Sequence, residues 1–257
     1  NHYSALVTAR SLGRAYIGQG KLRQAAATYT QALTAATQRG LDQLPNIAHV
    51  HINLGRLHYE WNDLAAAVAQ LQLGLARLQG QASGWIGFEG YVLLARAKHA
   101  QGDSAAAIAL LDQAEQVAQA IPFPWTKVAT ASALVRVRVA LGQESAAAQW
   151  LAQAQPTLTA DFSRVREGEQ LTAARVLILQ DRRGEALALL TPLCQDAENA
   201  GRMKIVVESS ILLALAYQLQ GAQQAAQDVL GKALTLAEPE GYIRSFVDEG
   251  EAMRFLI

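Results

Sequence analysis

One cysteine, Cys194, stands in 257 residues, which excludes an internal disulfide and any cysteine-clustered metal site and fits a reducing compartment. Aromatic residues supply only 6% of the chain and prolines number 6. An excess of charge of either sign is missing as well, because 22 Lys+Arg meet 22 Asp+Glu and the isoelectric point lies near 7.2. No global basic field therefore exists to hold nucleic acid or an anionic membrane. No run approaches the roughly 18 uncharged apolar residues of a spanning helix. The start, Asn1-His2-Tyr3, has neither an initiator Met nor a basic-then-apolar signal peptide. The sequence reads as a fragment of a longer, cytoplasmic protein.

What is abundant is alanine, at 50 residues, and its placement is periodic. The phrase LGRAYIGQGKLRQAAATYTQAL from Leu12 returns as LGRLHYEWNDLAAAVAQLQLGL from Leu54 and LARAKHAQGDSAAAIALLDQAE from Leu94. Weaker copies start at Leu134, Ala173 and Leu213, so the spacings are 42, 40, 40, 39 and 40 residues. Self-similarity at such a period marks a repeat architecture.

Within each copy apolar residues recur three and four apart, as in Leu64, Val68, Leu71 and Leu75, which predicts amphipathic helices. A breaker divides each copy: Gly20, Asn62-Asp63, Gly102-Asp103, Gly142, Asp181 and Gly221. These residue types tolerate the left-handed conformation that ends helices, and a following Asp or Ser can cap the next one. The unit is a helical hairpin, and no period-two alternation is long enough for a strand. One site in the second helix is always small, Ala25, Ala67, Ala107, Ala147, Ala186 and Ala226, and one turn later come Tyr29, Leu71, Leu111, Leu151, Leu190 and Leu230. The first helix carries a large residue followed usually by a small one, as in Leu12-Gly13 and Leu54-Gly55. Small residues are expected to face small ones where the two helices cross, with large residues filling the gaps.

The fold expected is all-α: a right-handed superhelix, or α-α solenoid, of about six hairpins with a ~40-residue period. A single domain covers 1–257, with units at approximately 4–40, 46–80, 85–121, 125–156, 164–200 and 204–238, and 239–257 beginning a further capping helix. Gly84, Pro122 to Pro124 and Pro156 mark turns between units, and 157–166 is the least regular stretch.

The first and last copies resemble the tetratricopeptide repeat through Leu12-Gly13, Tyr16, Ala25, Tyr29 and Ala32, and through Leu213-Ala214, Tyr217, Ala226, Leu230 and Ala233. The period is longer than the usual 34, and His58, Lys98, Arg138 and Leu177 replace the tyrosine elsewhere. The ending LTLAEPEGYIRSFVDEGEAMRFLI and the phrase ARVLILQDRRGEALALL resemble a more specific family, the repeat domain of MalT-like regulators, large ATP-dependent members of the LuxR class. That resemblance implies an N-terminal nucleotide-binding switch and a C-terminal helix-turn-helix, both outside this sequence. No G-x-x-x-x-G-K-[ST] occurs, so no cofactor is expected here and ATP belongs only to the N-terminal module.

Two residues after each first-helix leucine, or the alanine in its place at 173, stand Arg14, Arg56, Arg96, Arg136 and Arg175, broken by Leu215. In tetratricopeptide geometry that place tends to face the concave groove, where guanidiniums would bind carboxylate or phosphate in bidentate fashion. The competing reading is that they pair with acids of neighbouring repeats, with Glu60, Glu89 and Glu208 the candidates. His49, Tyr59 and His99 project beside the column and suit a polar ligand or sugar. No catalytic constellation and no His-Glu-x-x-His motif is present, and Cys194 lies in an apolar stretch, so an enzyme is not expected and no metal is assigned. The functional expectation is an effector-sensing or protein-interaction repeat domain of a regulator, taking a small-molecule inducer or regulatory protein, with no membrane partner and self-association a property of the full-length protein. DNA would be bound only by the missing helix-turn-helix. The alternative is a free-standing tetratricopeptide scaffold for an acidic or C-terminal peptide.

Overall fold

The computed structural model describes residues 2–41, 44–78, 84–122, 124–158 and 166–257. Of the stretch expected to be irregular, 159–165 lie outside these. Every regular element among the described residues is helical, and the chain divides into two compact units, 1–126 and 127–257. The first holds three hairpins: α1 (His2–Gly18) with α2 (Leu22–Thr37), α3 (Pro45–Glu60) with α4 (Leu64–Arg77), and α5 (Trp85–Ala100) with α6 (Ser104–Ala120). The second holds α7 (Pro124–Ala140) and α8 (Glu144–Leu158), α9 (Glu167–Leu179) and α10 (Arg183–Asn199), then α11 (Met203–Leu219) and α12 (Gln223–Ala237). No helix among the described residues is long and apolar enough to cross a membrane.

All six breakers do what their chemistry allows. Gly20, Asn62, Gly102, Gly142, Asp181 and Gly221 have φ between 60° and 86°. The residue after each donates its N–H back across the turn, for example Lys21 to the Tyr16 carbonyl at 2.8 Å and Asp103 to the Lys98 carbonyl at 2.9 Å. Such bonds satisfy carbonyls that the helix end leaves open. Asp63 and Asp103 then cap the second helices by accepting from the N–H groups of Ala66 and Ala106 at 3.2 and 3.0 Å.

Packing follows the repeat positions. The six alanines are at most 1% exposed, as a close helix crossing requires. The small residue of the first helix meets both the small and the large residue of the second: a Cβ added at Gly55 would lie 3.2 Å from the Ala67 carbonyl as well as against Leu71. A Cβ added at Gly13 would lie 2.3 Å from the Tyr29 ring, and one at Gly55 2.6 Å from Leu71. Small against large lets the bulky side chain fill the space that the missing Cβ opens. The first-helix leucine joins the neighbouring hairpin instead: Leu94 clusters with Val68 and Leu71. Leu54, Leu94, Leu134, Ala173 and Leu213 are accordingly at most 8% exposed, whereas Leu12 is 42% exposed, since no described helix precedes α1 to cover it.

The capping helix expected over 239–257 is replaced by a 3-10 turn (Glu238–Glu240) and two single-turn helices, α13 (Arg244–Val247) and α14 (Glu251–Arg254). Gly241 and Gly250, at φ 76° and 75°, interrupt what would otherwise be continuous. Tyr242, Phe246 and Met253 still bury their side chains, so the segment closes the end of the second unit.

Candidate ligand-binding face

The arginine column is carried on the first helices α1, α3, α5, α7 and α9, and its members meet different surroundings. Arg14 is exposed. Arg56 reaches across to the next first helix and donates to Glu89 Oε1 at 3.1 Å. Arg96 lies over the Tyr59 ring, 4.7 Å from its centre, a cation–π contact. In the second unit Arg136 Nη1 stands 3.9 Å from Glu208 Oε1, and Arg175 meets Glu249 at 2.6 Å with both side chains no more than 8% exposed. Arg56, Arg136 and Arg175 each meet an acid, two of the three through glutamates that the sequence singles out, but only Arg56 pairs with the neighbouring repeat: Arg136 reaches the next repeat but one, and Arg175 a glutamate beyond the repeats.

The acids answer to this environment. Burial pushes the Glu208 carboxyl up, but Lys204, Arg136 and Arg175 outweigh it and hold the group well below the usual carboxylate range. Lys204 Nζ donates to it at 2.7 Å. In the first unit, burial pushes His49 down to about 4, with Arg10 and Arg14 pulling the same way and Glu89 opposing them. The Tyr29 hydroxyl is pushed up to about 12 by burial, against the nearby Arg56 and Arg14.

Of the remaining expected site residues, Tyr59 is buried beneath Arg96. His99 stands at the end of α5, its Nδ1 3.2 Å from the Ser104 hydroxyl, and so addresses its own hairpin's second helix. The structure thus brings Arg14, His49, Arg56 and Glu89 into one electrostatic neighbourhood in the first unit, and Arg136, Arg175 and Glu208 into another in the second. No group of three or more His, Cys, Asp or Glu that could hold a metal occurs among the described residues. Cys194 is buried, its sulfur 3.7 Å from the Ser210 hydroxyl.

A family model described as the MalT-like TPR region matches residues 1–257. The chain belongs to the MalT-like TPR family. Curated relatives named HTH-type transcriptional regulator MalT include one from Serratia proteamaculans, 30% identical over 92% of this chain, and one from Yersinia pestis, 29% identical over 92%. This MalT-like chain spans 26% of the length of either relative. Among solved structures, a Rap protein complexed with competence and sporulation factor is similar, with a TM-score of 0.58 at 13% identity over 96% of this chain and 69% of that one. That likeness concerns the fold, an all-helical tetratricopeptide-type array.

Three functional neighbours escape the repeat reading of this MalT-like region. Arg10 sits where later copies hold Ile52 and Val92, so its charge breaks the register instead of following it. Lys204 stands where two earlier copies hold Trp85 and Trp125, and Glu249 lies beyond the last copy. Only the helical spacing of Arg10 and Arg14, one turn apart, could have drawn attention to the first of them.

Proposed function

We propose that this chain is the effector-sensing and protein-interaction segment of a MalT-like transcription regulator, a non-catalytic repeat domain acting in the cytoplasm. The match of the family model over residues 1–257 carries the reading. The groove formed by the first helices would take a small-molecule inducer or a regulatory protein, with Arg14, His49 and their neighbours as contacts. Binding there would favour one of two forms of the whole protein, which requires different affinities for the two. ATP and DNA would be handled by other modules, and the repeats themselves would need no cofactor.

Reading the coding region on both sides tests the regulator assignment. A nucleotide-binding module upstream and a helix-turn-helix downstream are expected, and the absence of both would favour a free-standing scaffold for an acidic peptide. A thermal-shift screen against phosphates, nucleotides and oligosaccharides tests small-molecule binding, since a ligand at 100 times its dissociation constant stabilises by about 2.7 kcal/mol. A flat screen would point to a protein effector.

A further inference from the structure

In the second and third hairpins the first helix lies on the second helix of the hairpin before, α3 on α2 and α5 on α4. Three places carry that contact. The first holds Ile47, 1% exposed and clustered with Leu6 and Ala36 of the preceding hairpin, and in the next copy the buried Gly87. The second, three residues on, holds the buried Val50 and Gly90, and a Cβ added at Gly90 would stand 2.8 Å from Leu75 of α4. The third is the leucine, Leu54 and Leu94, each 5% exposed. On α1 the same places belong to Ala5, Thr8 and Leu12, and all three are exposed. Their spacing of three and four puts them in one stripe along the helix.

Beside the stripe a groove of about 420 Å³ runs between α1 and α2, with Leu6 and Ala36 at its floor and Ala9, Thr28 and Ala32 in its walls. Its depth has a cause in the sequence. Where the second hairpin has His51 and Gln70, hydrogen-bonded at 2.7 Å, and the third has Tyr91 and Leu110, the first has Ala9 and Thr28. Smaller residues leave open the space that larger ones fill. The one charged side chain lining the groove, Arg39, donates to the Ala35 carbonyl of its own helix at 2.9 Å. Such a surface suits the apolar face of a helix, which lays side chains three and four apart into a groove.

We propose that this face is the docking surface for the second helix of a further hairpin, carried by the same polypeptide immediately upstream of Asn1. Continuity with the two later interfaces selects that occupant, since in both the partner is the preceding hairpin. A polypeptide of the relatives' length, of which this chain spans 26%, has sequence to supply it. The groove leaves room for one bulky apolar side chain from the docking helix. Leu75 stands 15 residues before Gly90, and Leu33, packed against the Ile47 cluster, 17 before Val50. A leucine, isoleucine or aromatic residue is therefore expected about 15–17 positions before Thr8. The array thereby continues beyond these six hairpins, independently of any effector.

Two chains test this: the 257 residues alone, and the same chain extended upstream by the roughly 40 residues, one repeat period, that the coding region supplies. Amide hydrogen exchange in α1 is expected to slow about tenfold or more in the extended chain, while α12 keeps its rate. Leu12→Asp and, separately, Thr8→Arg are expected to lower the melting temperature of the extended chain well beyond their effect on the 257-residue chain. The exchange comparison requires no substitution, so it decides even where a variant fails to fold. An upstream sequence with no apolar residue at the expected place, equal α1 exchange in the two chains, or equal effects of Leu12→Asp on both would overturn the proposal. So would an extended chain that sediments as a dimer and is made monomeric by Leu12→Asp, for then a second copy is the occupant.

Discussion

The two units carry the same arginine column and treat it in opposite ways. In the second, three cations, Arg136, Arg175 and Lys204, meet the two buried carboxylates Glu208 and Glu249, and α11 is buried continuously from Val206 to Ala216. In the first, Arg14 is exposed beside a neutral histidine, Arg56 pairs with Glu89, and Arg96 lies over the Tyr59 ring. The arginine that recurs along the repeats is thus paired with a well-buried acid in the second unit, and in the first is paired at Arg56 but exposed at Arg14.

The largest effect expected is from Glu208→Ala. Removing the carboxylate leaves Lys204, Arg136 and Arg175 around a dry site, which costs about 3–5 kcal/mol in urea denaturation. Glu89→Ala breaks a partly exposed pair and is expected to cost about 1 kcal/mol or less. Equal losses for the two variants would erase the distinction between the units.

Next comes the helix crossing. The second unit has Ala174 and Ala214 where the first has Gly13 and Gly55. Gly55→Ala is expected to destabilise by up to about 2 kcal/mol, since overpacking against the buried Leu71 costs about 1–3 and better helix propensity returns about 1. A higher melting temperature in this variant would contradict the crossing described.

A smaller effect depends on pH. His49 has a folded-state pKa of about 4, below its ordinary 6.5, so the unfolded chain takes up the proton first. Its contribution is intact above pH 6.5, is lost as pH falls from 6.5 to 4, and amounts to about 1–2 kcal/mol. His49→Gln should flatten that part of the stability curve. Glu208, with its pKa depressed, withdraws its contribution only below the ordinary carboxylate range, so the two acid effects separate. Smallest of all, Arg14→Ala is expected to alter stability by no more than about 0.5 kcal/mol, whereas a larger loss would make Arg14 another clasp.

The hairpins were legible because their determinants are local. Positive φ at Gly20, Asn62 and Asp181 follows from residue type, and burial of Ala67 and Leu71 follows from helical period. That small residues meet at the crossing while large ones fill the gaps was legible too, although residue size alone does not say that Tyr29 is the side chain lying against Gly13. In the site, Glu89 and Glu208 could be named as partners since they recur in register. Glu249 could not, because it approaches Arg175 from 74 residues away on a turn outside the repeats. Arg10 was missed because it interrupts an apolar position, and deviation from a repeat is harder to see than agreement with it.

The contrast between the units rests on a neutral His49 lying near Arg10 and Arg14, with Glu89 the acid that opposes them. Titration of its ring signals by NMR, in the unaltered chain and in the Arg10→Ala, Arg14→Ala variant, measures this directly. A midpoint near 4 that rises part of the way to 6.5 when the arginines are removed, burial holding the rest of the shift, is the expected result. A midpoint at the ordinary histidine value in both proteins would contradict it.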